Sequence, residues 1–184
     1  MRQLANERGF TLAELLVTTA VIGLIMAGIF AFLVGGQRAY LFGAGRVETQ
    51  QNARVALDLM TRELRSSTSI TSLASATDIG FGWNDEANVA HTIRYWLNGT
   101  MLTRRFDGTD TALIGGVKAG DLTMTYCSAY NAATSTCTAT TDPLLATVIR
   151  IRLKTSTEQA VATGSAGDAH ALMESTVTLR SSIE

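Results

Sequence analysis

An apolar run near the N-terminus constrains this chain more than any other part of its sequence. No side chain between positions 15 and 36 ionises, and these 22 residues would extend about 33 Å as a helix. That length matches the hydrocarbon core of a bilayer. The sequence therefore predicts a transmembrane helix over residues 10–36.

The start of this helix carries one carboxylate, Glu14, behind a short polar head that ends at Gly9. A carboxylate at the bilayer centre costs about 2.5 to 3.5 kcal/mol on insertion scales and less near the edge, so Glu14 needs a cation or a route to water. No clean Ala-x-Ala site closes the apolar run, which argues against a cleaved secretory signal peptide. A signal-anchor helix with an interfacial glutamate is the simplest alternative.

The string from Gly9 to Val17, Gly-Phe-Thr-Leu-Ala-Glu-Leu-Leu-Val, resembles the processing site of type IV prepilins and type II secretion pseudopilins. The resemblance implies that residues 1–9 are a leader peptide, that a prepilin peptidase cuts between Gly9 and Phe10, and that it methylates the new amino group of Phe10. It also implies that Glu14 attracts the N-terminus of a neighbouring subunit during assembly. Cleavage before Phe10 would create an ammonium group, which keeps its charge on methylation and is the cation that Glu14 needs.

The net charge does not favour a nucleic-acid-binding protein. The formal charge is −1, and removal of a head that contains Arg2, Glu7 and Arg8 would leave −2, so no strongly basic surface is expected. Arg38 and Arg46 follow the apolar run and nearly balance the arginines before it, so positive charge does not determine the orientation in the membrane. The resemblance implies a cytoplasmic N-terminus and a periplasmic C-terminal domain, anchored in a bacterial inner membrane.

Two cysteines, Cys127 and Cys137, have nine residues between them. An even number of cysteines at short spacing in an exported domain favours a disulfide. Two unpaired small hydrophobic residues are the alternative. A zinc site would need four ligands, and the two histidines that remain have no ligand spacing.

Beyond position 36 a helical pattern continues in amphipathic form. Apolar residues recur at spacings of three and four, which predicts one face that packs on a sheet. The stripe consists of Gln50, Ala53, Leu57, Met60 and Leu64, and all of these except Gln50 are expected to pack on the sheet. We expect one helix from about residue 11 to residue 66, with residues 37–66 continuing into the globular domain. The glycines of the junction, at positions 35, 36, 43 and 45, favour a bend or local melting there.

Strand signals dominate the rest of the chain. Residues 66–77 are rich in Ser and Thr and predict an exit loop with a short strand at most. Asn98-Gly99 separates two β-rich runs, which is the strongest short hairpin signal. Predicted strands cover residues 92–97, 100–106, 122–127, 146–154 and 175–180, and the cysteine loop and residues 162–169 are expected to be exposed. This order predicts an α+β fold, with a long N-terminal helix packed on an antiparallel sheet in a head over residues 67–184, and the resemblance specifies the type IV pilin fold.

The sequence contains no Gly-x-Ser-x-Gly elbow, phosphate loop, His-Glu-x-x-His motif or dinucleotide fingerprint. We therefore expect no enzyme, no catalytic residue, no cofactor and no metal. His91 and His170 are expected to be isolated surface or loop histidines. The string Asp107-Gly108-Thr109-Asp110 has oxygen ligands at calcium-like spacing but lacks the further carboxylates of an EF-hand, so a turn is favoured.

Basic and aromatic residues alternate on the predicted hairpin, and this pattern makes DNA contact a further hypothesis. The residues concerned are Arg94, Tyr95, Trp96, Arg104, Arg105 and Phe106. Strand alternation puts Arg94 and Trp96 on one face and Tyr95 on the other, so one aromatic face is expected to lie in the core.

The hairpin, the strand from Leu122 to Tyr126 and residues 175–180 resemble the minor pilins called PilW and the J-type minor pseudopilins. The resemblance implies a minor pilin that takes part in initiation or tip assembly of a type IV pilus. A minor pseudopilin of type II secretion, and a tip adhesin or DNA-uptake receptor, are the alternatives. The implied partners are prepilin peptidase, the major and other minor pilins, the inner-membrane assembly platform and membrane lipid; DNA is not expected.

Overall fold

The computed structural model describes residues 10–157 and 169–179. Over these residues the chain forms one long helix, nine strands and a short 3-10 turn. The elements are α1 (Leu12–Arg65), β1 (Ser67–Ser75), β2 (Asp78–Asn84), β3 (Ala90–Asn98), β4 (Met101–Phe106), β5 (Thr109–Ile114), β6 (Leu122–Asn131), β7 (Thr136–Ala139), the 3-10 turn (Pro143–Leu145), β8 (Val148–Ser156) and β9 (His170–Thr178). The predicted α+β class, a long apolar N-terminal helix followed by antiparallel sheets, is confirmed.

The chain divides into two compact units, one that ends at Leu41 and one that begins at Phe42. Over the described part of the first unit, α1 is predominantly apolar and nearly all of its side chains are exposed. The hydroxyls of its two threonines are hydrogen-bonded to the helix backbone. Thr18 donates to the carbonyl oxygens of residues 14 and 15, and Thr19 to those of residues 15 and 16, all at 3.0 Å. By length and composition, α1 is the one helix of the described residues that could cross a membrane.

Helical structure continues through the four glycines at positions 35 to 45, where we expected a bend or local melting. In the second unit the predicted stripe is confirmed: Ala53, Leu57, Met60 and Leu64 are buried, and Gln50 is exposed. The sequence pattern missed Ala56, which is also fully buried. Together these side chains form the helical part of the core that both sheets share.

The nine strands form two antiparallel sheets, with the orders β1-β2-β3-β4-β5 and β7-β6-β8-β9. The predicted hairpin is confirmed, because Asn98 pairs with Met101 across a turn in which Gly99 has a φ of 62°. Side chains alternate along β8: Ile149, Ile151 and Leu153 are fully buried, whereas Arg150 is only half-buried.

The prediction of an exit loop over residues 66–77 is wrong, because most of that segment is strand β1, paired with β2. The pairing depends on two glycines of β2, because a side chain at either position would crowd the hydroxyl groups of β1. A Cβ added to Gly82 would lie 2.8 Å from the Ser69 hydroxyl, and one added to Gly80 would lie 3.1 Å from the Thr71 hydroxyl. Ser and Thr side chains therefore fit against a glycine-rich partner strand, which neither segment reveals by itself.

The later strands differ from the prediction mainly in their ends. β6 continues to Asn131, four residues further than predicted, and pairs there with β7, which we did not predict. β9 begins at His170 rather than at residue 175. Arg180 and residues 162–168, which were predicted to be strand and exposed segment respectively, lie outside the described residues. Ala169, the last residue of that segment, is buried.

A disulfide joins Cys127 of β6 to Cys137 of β7, with the two Cα atoms 5.4 Å apart. It closes a loop of about ten residues, for which the chain-entropy model gives a stabilisation of about 2 to 3 kcal/mol.

We expect the double variant Cys127→Ala/Cys137→Ala to lose that amount of stability, measured by urea unfolding followed by tryptophan fluorescence. Dithiothreitol should lower the stability of the wild type to that of the variant and leave the variant unchanged. Equal stability of the oxidised wild type and the variant would contradict this expectation.

Candidate processing and assembly site

The start of α1 is fixed by a reciprocal pair of hydrogen bonds between Thr11 and Glu14. The carbonyl of Thr11 accepts the first helical bond, from Leu15 N–H at 3.2 Å, so Thr11 is the N-cap residue. Glu14 N–H donates to the Thr11 hydroxyl at 3.2 Å, and Thr11 N–H donates to Glu14 Oε2 at 3.2 Å. This is a capping box, which satisfies two helix-end donors. The Thr-x-x-Glu spacing would have predicted it.

Glu14 is exposed, and so are the apolar side chains around it; Phe10 is 81% exposed and Leu12 83%. One carboxylate oxygen, Oε2, holds the cap, and within the described residues Oε1 makes no hydrogen bond. The helix N-terminus also favours a negative charge at this position. Glu14 can therefore hold the cap and still offer an oxygen to a cation from outside the chain. Gly9, the other half of the predicted cleavage site, lies outside the described residues.

A second cluster centres on His91 of β3, and here the prediction of an isolated histidine is wrong. His91 Nδ1 lies 2.6 Å from Asp107 Oδ2, and Nε2 lies 3.4 Å from Asp85 Oδ2. Its ring packs between Phe106 and Trp83, at centroid distances of 5.0 and 5.3 Å. A neutral imidazole donates from only one nitrogen, so the imidazolium form is the one that satisfies both carboxylates. The cluster links the β2–β3 loop to the β4–β5 turn.

The surroundings favour the charged forms in this cluster. The hydrogen bond from Asp107 raises the pKa of His91 above its usual value, against the opposing effect of burial, and Asp85 adds to the rise. The pKa of Asp107 is lowered chiefly by His91. The pKa of Asp85 is lowered first by the backbone N–H of Val89 and then by His91. Asp85 and Asp107 thus accept hydrogen bonds from the two ring nitrogens of the same histidine, His91.

This cluster predicts a pH dependence of stability. Because the folded pKa of His91 is raised, its contribution is complete below about pH 6.5 and is lost as the pH rises through the folded value. The lowered pKa values of Asp85 and Asp107 mean that their contribution is present above about pH 3.9 and is lost on acidification. We expect the difference in melting temperature between wild type and His91→Gln to be largest between about pH 3.9 and pH 6.5 and to shrink at both lower and higher pH. A difference that does not change with pH would show that His91 contributes only by packing.

The other histidine, His170, lies exposed on β9, with Nδ1 3.3 Å from the Ser156 hydroxyl.

In the calcium-like string, Asp110 pairs with Arg105, at 2.5 Å between Arg105 Nε and Asp110 Oδ1. Among the described residues, no group of three or more His, Cys, Asp or Glu side chains could hold a metal ion. The acidic residues of the calcium-like string are thus engaged with neighbouring side chains, and its Asp107-Gly108 part forms the turn between β4 and β5.

The basic and aromatic residues of the hairpin alternate as predicted, with Tyr95 buried and Arg94 exposed. Each arginine has a carboxylate partner: Arg94 pairs with Asp78 at 2.5 Å, Arg105 with Asp110, and Arg104 with Glu63 at 2.7 Å. The guanidinium carbons of Arg94 and Arg105 also lie 5.5 and 5.0 Å from the centre of the Trp96 ring. These arginines are neutralised within the chain, so the hairpin gives little support to the DNA hypothesis.

Residues 4–30 match a family model described as the prokaryotic N-terminal methylation motif. The match covers the capped start of α1 and most of its apolar run, and none of the sheets. No curated protein matched the chain significantly. The motif implies processing by prepilin peptidase and handling by pilus assembly machinery, and together with the apolar helix it fits anchoring in the inner membrane. These findings support a place for the chain in the type IV pilin and pseudopilin family in general, a family that is generally structural rather than enzymatic.

Proposed function

We propose that this chain is a minor pilin that enters the inner membrane as a prepilin, is cut between Gly9 and Phe10, and joins the initiating or tip complex of a type IV pilus. The observation that carries the proposal is the methylation motif over residues 4–30, followed by a helix long and apolar enough to cross a bilayer. The N-terminus would face the cytoplasm, and the sheets would lie in the periplasm. The disulfide supports that placement, because such bonds persist in oxidising compartments.

The proposal gives the apolar helix two successive roles. Before assembly its exposed side chains would contact lipid, and afterwards they would pack against the helices of neighbouring subunits in the filament core. The methylated ammonium of Phe10 would be carried into an environment with little water, where it needs a carboxylate. Glu14 is the described carboxylate nearest to it in sequence, and its Oε1 is available.

Processing can be tested on the membrane-extracted chain by mass spectrometry. We expect a product that begins at N-methylated Phe10 and lacks residues 1–9, and in a peptidase-negative host we expect the full chain. The variant Gly9→Val should remain uncut, because a β-branched side chain replaces the small residue at the cut. Gly23→Val makes the same substitution within the apolar run, where nothing lies within 4 Å of an added Cβ; it is the matched control and should be cut normally. An intact head on the wild type in a peptidase-positive host would refute the proposal.

A minor pseudopilin of a type II secretion system is the second candidate, because the same motif begins both kinds of subunit. Deletion of the gene separates the two roles. Loss of surface pili and twitching with normal protein export supports the pilus, whereas loss of export with normal twitching supports the secretion system.

A further inference from the structure

An open groove of about 740 Å³ lies between α1 and β9 in the second unit. One wall is a face of α1 that carries Arg54, Asp58, Arg62 and Arg65, and the other wall is formed by Met173, Glu174 and Ser175 of β9. The walls meet at Thr61 and Ser175, whose hydroxyl oxygens are 3.3 Å apart. The groove therefore has a charged helical side and a strand side.

The helical side carries unpaired positive charge. Arg54, Arg62 and Arg65 are exposed, and none of their guanidinium groups forms an ion pair or hydrogen bond within the described residues. The hairpin arginines differ in this respect, since each has a carboxylate within 2.7 Å. Of the two acidic residues in the groove, Glu174 already pairs with Arg150 at 3.2 Å, which leaves Asp58 against three arginines. The groove thus favours an anionic partner.

The strand side favours an extended partner. β9 is the last strand of its sheet, paired with β8 on one side and with no described strand on the other. Residues 173, 174 and 175 are consecutive and all line the groove, so the groove meets the edge of the strand rather than one face. An edge strand presents unpaired N–H and C=O groups that can bind a further strand.

We propose that this groove binds an extended acidic segment of a partner protein, which pairs with the edge of β9 and places carboxylates against Arg54, Arg62 and Arg65. A lipid headgroup would satisfy the arginines but would leave the strand edge unused. The proposal does not depend on the role in pilus assembly, because it concerns the second unit alone.

The test uses the full chain in detergent and three fluorescent peptides of equal length: one that alternates Glu with Val and Thr, a counterpart with Lys in place of Glu, and an acidic one with proline at alternate positions. Fluorescence anisotropy should show binding of the acidic peptide only. Proline removes the N–H donors that the strand edge requires, so the third peptide should bind at least about tenfold more weakly. Equal binding of the Lys peptide, equal binding of the proline peptide, or no binding of the acidic peptide would overturn the proposal.

The double variant Arg54→Glu/Arg62→Glu should lose at least about tenfold in affinity for the acidic peptide and should gain binding of the Lys peptide. Arg46→Glu reverses one positive charge on α1 outside the groove and should bind the acidic peptide like the wild type. An unchanged melting temperature of the double variant, expected for exposed unpaired arginines, shows that it is folded. Loss of binding in both variants alike would overturn the proposal. Binding of phosphatidylglycerol vesicles that is lost in the double variant, while no peptide binds, would overturn the proposal and assign the groove to lipid instead.

Discussion

Replacing Glu63 with alanine is expected to lower the free energy of unfolding by about 2 to 4 kcal/mol, because it leaves a partly buried guanidinium and a buried hydroxyl without their partner. Glu63 of α1 accepts two bonds from Arg104 of β4, at 3.1 Å from Nε and 2.7 Å from Nη2. It also accepts a hydrogen bond from the hydroxyl of Tyr95, which is fully buried on β3. The side chains of Glu63 and Arg104 are only 16% and 20% exposed, so water replaces the lost carboxylate poorly.

The pKa of Tyr95 is consistent with this network: burial raises it well above its usual value, and the hydrogen bond to Glu63 and its charge raise it further. Tyr95 is therefore a neutral donor over the whole physiological pH range.

Urea unfolding measured by tryptophan fluorescence checks the prediction. Asp58→Ala on the same helix is the matched control, since Asp58 is exposed and has no ion pair among the described residues; we expect a change of less than about 0.5 kcal/mol. Tyr95→Phe removes only the hydroxyl and should cost less than Glu63→Ala. If Glu63→Ala and Asp58→Ala are equally stable, the network does not hold the helix to the sheet.

Features that depend on local spacing could be predicted from the sequence. The stripe at Ala53, Leu57, Met60 and Leu64 identified the buried face of α1, and Asn98-Gly99 identified the hairpin, because helical period and turn chemistry are read within a few residues. The predicted helix, from about residue 11 to 66, agrees with the observed Leu12–Arg65 to within a residue at each end.

Features that depend on residues far apart in the chain could not be predicted in the same way. Glu63 and Arg104 are separated by 41 positions, and His91 and Asp107 by 16, so no local pattern joins them. Gly116 is a further case. Its φ is +71°, and a Cβ there would lie 2.0 Å from the carbonyl oxygen of Ser156, a residue of β8. The requirement for glycine comes from this positive φ and from the close approach of a strand 40 residues further along the chain.

Glu14 has two separable functions: it closes the capping box, and it carries a negative charge. Glutamine can close a capping box at the N3 position but carries no charge, so Glu14→Gln removes only the second function. If the charge pairs with the methylated N-terminus of a neighbouring subunit, Glu14→Gln should be incorporated into filaments at least about tenfold less than wild type. Cleavage between Gly9 and Phe10 should remain largely intact, since the charge acts after processing. Immunoblots of sheared filaments and of membranes give the two quantities.

Thr11→Ala is the complementary variant, because it removes the N-cap hydroxyl and keeps the carboxylate. Loss of an N-cap costs about 0.5 to 2 kcal/mol of helix stability, which frays the first turn but leaves the ion pair available, so incorporation should stay near that of the wild type. Glu14→Ala loses both functions and should be incorporated no better than Glu14→Gln. If Glu14→Gln is incorporated normally while Glu14→Ala and Thr11→Ala both fail, the residue acts as a helix cap and the proposed ion pair is wrong. The order in which the three variants are incorporated into filaments thus separates a structural role of the carboxylate from recruitment of the next subunit.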